Sequence, residues 1–205
     1  MHVLVVSNGF PPPKDLLEAE FKKADLVVGA DGGGNKILKY GLLPNVIIGD
    51  LDSFEKPKDV DFEIIHEPEQ ETNDLEKALS LVITRGADTC TVLGAFGKRM
   101  DHALKNLSVL KKFDAAFKKL IYKDELFEAS IINGTFSEEC PVGNLVSLFP
   151  LSGEVTGIVT EGLKFPLNNE SLKNGERDGT SNETISDQFS VSVESGDLVI
   201  FVERR

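Results

Sequence analysis

At 205 residues the chain can bury a substantial core, as one large domain or two small ones. Its 40% hydrophobic and 27% charged residues are those of a soluble globular protein, and no apolar run approaches the ~20 residues that span a bilayer. A formal net charge of -12 argues against a nucleic-acid partner, whose phosphates demand Lys and Arg.

Met1 to Val6 lacks a basic n-region and a cleavage site. It is read as a first strand rather than a signal peptide, and the expected compartment is the cytoplasm. Further strands are predicted at Leu26–Val28, Val46–Ile48, Phe62–Ile65 and Thr91–Leu93. Helical spacing falls between them. Leu16, Leu17, Phe21 and Ala24 share one face, as do Leu75, Ala78, Leu79 and Val82. Asn73 with Glu76 three residues on predicts a capping box for the second of these helices. A third helix is expected from Asp101 to about Phe113, burying Leu104, Leu107 and Leu110. Strands alternating with helices imply βαβ units and a mainly parallel sheet. Cys90, in the last of these strands, and Cys140 further on match no metal-ligand spacing and are expected as thiols.

After about Lys118 the pattern changes to strands without long helices: Leu120–Tyr122, Ala129–Ile132, Leu145–Phe149, Val155–Val159, Phe189–Val193 and Leu198–Val202. Turn signals such as Asn133-Gly134 and Ser152-Gly153 punctuate them, and Phe189, Val191 and Val193 alternate with polar residues. The expected architecture is therefore an α/β domain with a parallel sheet over residues 1–120, then a smaller antiparallel all-β sandwich over 121–205. The polar stretch Asn168–Asp187 shows no apolar periodicity and reads as a long loop.

In open parallel sheets, ligands bind where loops converge at the carboxyl ends of the strands. Here the predicted strands end in Ser7-Asn8-Gly9, in Asp31-Gly32-Gly33-Gly34, in Gly49-Asp50-Leu51-Asp52-Ser53, in Gln70-Glu71-Thr72-Asn73-Asp74, and in Gly94-Ala95-Phe96-Gly97-Lys98-Arg99-Met100-Asp101-His102. Asp50 and Asp52 at i and i+2 can point two hard oxygens at one Mg²⁺, or form an Asx turn. With Asp31 and Asp74 at neighbouring strand ends, four carboxylates would repel one another unless a cation were present. The glycines either make tight turns or let backbone amides approach a phosphate; both readings stand. Arg99 beside Gly94 and Gly97 can neutralise a transferring phosphoryl group. Asp101 serves there or as a helix N-cap, and Asn106 reaches the site or caps a buried carbonyl. No Ser/His/Asp or Cys/His pattern supports a covalent nucleophile, and phosphoryl-type transfer needs none.

Asp31-Gly32-Gly33, Gly49-Asp50-Leu51-Asp52-Ser53, Thr72-x-Asp74 and Gly97-x-Arg99-x-Asp101-His102, with Gly162-Leu163-Lys164-Phe165 and Ser181-Asn182-Glu183 downstream, resemble in order and spacing the motifs of thiamine pyrophosphokinases. The resemblance implies an α/β catalytic domain, a β-sandwich domain and a homodimer with its active site between subunits. It implies transfer of the diphosphate of ATP to thiamine, with Mg²⁺ held by Asp50, Asp52 and Asp74 and Asp31 near the thiamine hydroxyl. Gln70 and Thr72 would contact the nucleotide with the glycines. Arg99 and Asp101 would contact phosphate or substrate. Ser181 and Asn182 would reach thiamine from the partner, with Phe165 helping to shape that pocket. A glycine is usual in that family where Lys98 stands, and an extra cation there is expected to touch phosphate. The same residues also fit two other readings: a metal-dependent nucleotide phosphohydrolase using the same aspartates, and a non-catalytic nucleotide- or thiamine-binding protein.

Overall fold

A computed structural model describes residues 1–59 and 61–204 of the protein. The chain divides into two compact units, Met1–Glu125 and Leu126–Arg205. The first unit runs β1 (His2–Val6), α1 (Lys14–Lys23), β2 (Leu26–Ala30), α2 (Gly33–Lys39), β3 (Val46–Gly49), β4 (Glu63–His66), α3 (Asp74–Thr84), β5 (Thr89–Leu93), α4 (Met100–Asp114) and β6 (Lys119–Lys123). Its strands lie in the order β6-β5-β1-β2-β3-β4. Every neighbouring pair is parallel.

Burial on both faces explains the continuous apolar runs that mark the central strands: Val3, Leu4, Val5 and Val6 are all fully buried. Leu16 and Leu17 of α1 and Ile37 of α2 pack with Leu4, Val6 and Val27 in one cluster. Each fully buried leucine contributes about 1.5–3 kcal/mol over an exposed one. The predicted face of α3 is the buried one, and the Asn73–Glu76 capping box forms in full. In α4 the register differs from the expected one. Asn106, Val109, Leu110 and Phe113 are buried, whereas Leu104 is 59% exposed. Asn106 is on the buried face, where its Nδ2 donates to the Ala95 carbonyl, and α4 packs on β6 and α3.

The second unit contains β7 (Phe127–Ile132), β8 (Thr135–Glu139), β9 (Leu145–Pro150), β10 (Glu154–Glu161), β11 (Asn168–Lys173), β12 (Gly179–Glu183), β13 (Gln188–Ser192) and β14 (Leu198–Glu203). They form two antiparallel groups, β12-β9-β14-β7 and β11-β10-β13-β8. Their inner faces share a core in which Val146, Leu148 and Ile200 meet Ile158, Leu172 and Phe189. The stretch Asn168–Asp187 is not a loop, because β11 and β12 lie within it. Both are edge strands that bury a single residue each, Leu172 and Asn182, so no alternation is written into them. The charges they carry suit an exposed edge. No disulfide joins Cys90 and Cys140, and among the described residues no helix is long and apolar enough to cross a membrane.

Candidate active site

The carboxyl ends of β1, β2, β3 and β5, with the first turns of α3 and α4, surround a cleft of about 580 Å³ within the first unit. One side is acidic. A carboxylate oxygen from each of Asp31, Asp50 and Asp74 lies within 4.8 Å of the other two. Gly49 permits this approach, since a Cβ there would sit 2.8 Å from Asp74 Oδ1 and 2.9 Å from Asp31 Cβ. Asp31 is 2% exposed, and its Oδ1 accepts the Ser53 amide at 3.3 Å. Asp50 Oδ2 accepts Gln70 Nε2 at 3.1 Å, a bond that holds the Asp50 carboxyl below its ordinary range. Burial, then the neighbouring charge of Asp50, pushes the Asp74 carboxyl up. Lys77, buried one turn along α3, offsets part of this from 3.4 Å.

Asp52 stands outside the trio, although it lines the cleft. Leu51 has φ +62°, and the Asp52 amide donates to Asp50 Oδ1 at 3.3 Å, which is the Asx turn weighed from sequence. The Asp52 carboxylate instead accepts Ser53 Oγ at 2.9 Å. Asp31, rather than Asp52, stands with Asp50 and Asp74 in the trio.

The other side is basic and amide-rich. Lys98, Arg99, His102 and Lys105 line it beside Ser7, Asn8 and Gly9. Arg99 and Asp101 form an exposed ion pair that depresses the Asp101 carboxyl to about 2. Asp101 lies outside the cleft lining and inside α4, so it is not the N-cap; that position is Arg99. Gln70, Thr72, Gly97 and Asn106 line the cleft. Asn106 also accepts Asn73 Nδ2 at 3.0 Å, which ties α3 to α4.

Gly32, Gly33 and Gly94 are buried behind the lining. A Cβ at Gly33 would lie 1.8 Å from the Val6 carbonyl, and one at Gly94 2.6 Å from that of Ser7. These glycines let three loops interlock. Lys36 completes the knot: its buried Nζ donates to the carbonyls of Ser7 at 2.6 Å and Gly9 at 2.7 Å. Burial depresses this amine to about 7. Lys36, Lys77 and Lys105 were not singled out from sequence. Lys77, one turn after Asp74, was the detectable one; lysines on amphipathic helices otherwise read as solvated.

In the second unit, Phe165 is 63% exposed. Asn182 is buried, accepts the Phe165 amide at 3.0 Å and donates to the Phe165 carbonyl at 2.8 Å. Ser181 holds φ +60° beside it.

Fold and cleft together define the class: an α/β protein with a charge-divided cleft at the carboxyl ends of a parallel sheet, carrying a β-sandwich unit. Residues 17–122 match the family model described as "Thiamin pyrophosphokinase, catalytic domain", and residues 135–200 the one described as "Thiamin pyrophosphokinase, vitamin B1 binding domain". The chain belongs to the thiamin pyrophosphokinase family. It is 27% identical to thiamin pyrophosphokinase 1 of Caenorhabditis elegans, over 97% of this chain and 87% of that one. With the thiamine pyrophosphokinase of Bacillus subtilis (strain 168) it shares 26% identity over 85% and 86% of the two chains. Among solved structures, thiamin pyrophosphokinase from Candida albicans superposes with a TM-score of 0.88 at 20% identity, covering 100% of this chain and 90% of that one. Thiamine pyrophosphokinase from Bacillus subtilis gives 0.85 at 23% identity, covering 99% of each.

Proposed function

We propose that this protein transfers the diphosphate group of ATP to the hydroxyl of thiamine, giving thiamine diphosphate and AMP. Membership of the family makes it an enzyme of this type, and the observation that carries the site assignment is the convergence of Asp31, Asp50 and Asp74 within 4.8 Å. Three carboxylates so close, one of them pushed towards its protonated form, suit a hard divalent cation. We assign Mg²⁺ to Asp50 and Asp74 of this trio, with Asp52, which lines the same cleft outside the trio, as a further carboxylate ligand, and leave Asp31 to the thiamine hydroxyl. Bound there, it would neutralise charge developing on the phosphate oxygens.

The remaining work falls to the chain's own groups. Asp31 orients the thiamine hydroxyl, whose oxygen attacks the β-phosphorus of ATP. As that bond forms, the bond from the β-phosphorus to the α–β bridging oxygen breaks and AMP leaves. Asp31 Oδ1 is engaged by the Ser53 amide, so Oδ2 receives the hydroxyl proton. Gln70, Thr72 and Gly97 face the nucleotide, while Arg99, steadied by Asp101, faces phosphate. Gly32, Gly33, Gly94 and Asn106 hold the loops that present these groups. Phe165 and Ser181 take thiamine, with Asn182 fixing the Phe165 backbone. We further take the working form to be a homodimer in which the partner's second unit completes each site; exposed Phe165, Ile185 and Val142 on that unit support this. None of the comparisons favours the phosphohydrolase reading.

The test is incubation with ATP, Mg²⁺ and thiamine, followed by separation of AMP, ADP and inorganic phosphate. AMP formed one-for-one with thiamine diphosphate, and only when thiamine is present, is the expected result. ADP would mean a single-phosphate kinase, and phosphate released without thiamine a hydrolase; either overturns the proposal.

A further inference from the structure

Lys98 occupies a backbone position that suits a glycine. Its φ is +55°, directly after Gly97 at +86°, and left-handed backbone is costly for a side chain with a Cβ. The Phe10 ring lies against Gly97, where a Cβ would fall 2.0 Å from it, so this turn is packed on the segment after β1. From this strained seat Lys98 Nζ crosses to the loop after β1 and donates to Asn8 Oδ1 at 3.0 Å. The Asn8 amide is wedged in turn, because a Cβ at Gly32 would fall 2.4 Å from its nitrogen. Beneath, Lys36 holds the carbonyls of Ser7 and Gly9 on either side of Asn8.

The arrangement gathers unfavourable terms with little intramolecular return. Besides the backbone strain, Lys98 brings a second ammonium near Lys36 and contributes to depressing that amine. One exposed hydrogen bond to a neutral amide does not offset both. Strand order supplies the missing partner. β1 lies between β5 and β2, so its loop separates the basic loop after β5 from the carboxylates after β2 and β3. A ligand carrying several negative charges, part of them neutralised by a cation at the aspartates, leaves the rest at the β5 side.

We propose that Lys98 is a phosphate-binding residue of this cleft, held in a strained turn beside Asn8 so that its ammonium meets the polyphosphate of the nucleotide. The inference rests on the diphosphate-transfer reading for the identity of the nucleotide. Its test separates strain from charge. Lys98→Gly removes both, Lys98→Gln keeps the strain and loses the charge, and Lys98→Arg keeps both. Each is titrated with α,β-methylene-ATP and Mg²⁺ in a calorimeter, and its thermal midpoint is measured without ligand.

The expected result is about a tenfold or greater loss of affinity in K98G and K98Q, with K98R within about threefold of the parent. The midpoint of K98G stays level or rises, and that of K98Q, which loses the charge beside Lys36 and keeps the strain, is not lowered. Undiminished affinity in K98Q would overturn the proposal, as would a lowered midpoint in K98G, which would make Lys98 a structural residue. Turnover of the parent with thiamine is measured separately. A parent that binds the analogue but forms no thiamine diphosphate refutes the reaction and leaves the Lys98 assignment standing.

Discussion

At Asp74 two requirements oppose each other. Burial and the Asp50 charge disfavour its ionised form, and the Lys77 ammonium relieves only part of that. An ionised carboxylate in this setting strains the metal-free protein, and the strain is what a cation would relieve. Asp74→Asn keeps the shape and an acceptor for Lys77 while removing the repulsion. In chelator its thermal midpoint is expected at or above that of the parent. Adding Mg²⁺ should raise the parent's midpoint and leave the variant's where it was. Turnover should fall by about a hundredfold or more. Thermal unfolding with and without Mg²⁺ checks all but the last; an equal metal response in both proteins would remove Asp74 from the cation site.

Between elements, the sharpest dependence is that of the β1 loop on α2 through Lys36. The ordinary amine value is 10.5, and burial brings Lys36 to about 7. Between those values the unfolded chain binds one proton that the folded chain does not, so folding stability rises with pH across that window, by at most about 1.4 kcal/mol per unit. Below about 7 the cost of burying the charged amine is felt in full. Lys36→Met has no such group, and its stability should climb less steeply from pH 7 to 9.5 in denaturant titrations. Parallel slopes would mean that Lys36 does not titrate there. That dependence could not be read from the sequence, because Asn35-Lys36-Ile37 looks like any solvated turn of an amphipathic helix. Central strands were legible because burial on both faces forces continuous apolar runs such as Val3–Val6. The edge strands β8, β11 and β12 were not, since an edge buries too little to leave a period. The Asn73–Glu76 box was legible, being wholly local. The register of α4 was not, because its buried face includes the polar Asn106, bonded to the Ala95 carbonyl. At the cleft, strand-end position exposed the aspartates. Which three converge depended on the bare Cα of Gly49.

On the scale of the whole molecule, the chemistry is split. The carboxylates and basic loop belong to the first unit, while Phe165 and Ser181, assigned to thiamine, belong to the second. If each site is completed by the partner subunit, two defects on different units complement one another. Asp74→Asn copies keep an intact second unit, and Phe165→Ala copies keep an intact first. A mixed dimer then holds one site damaged twice and one site with neither defect. After subunits are exchanged in equal amounts, half the dimers are mixed and half the sites in those are whole, so about a quarter of parental activity should return. Each variant alone should stay near its own low rate. Recovery that grows with exchange time and saturates near that fraction supports the shared site. Rates that merely average the two variants, with exchange confirmed by differently tagged copies, would mean that every chain works alone and that the exposed apolar residues of the second unit serve some other contact.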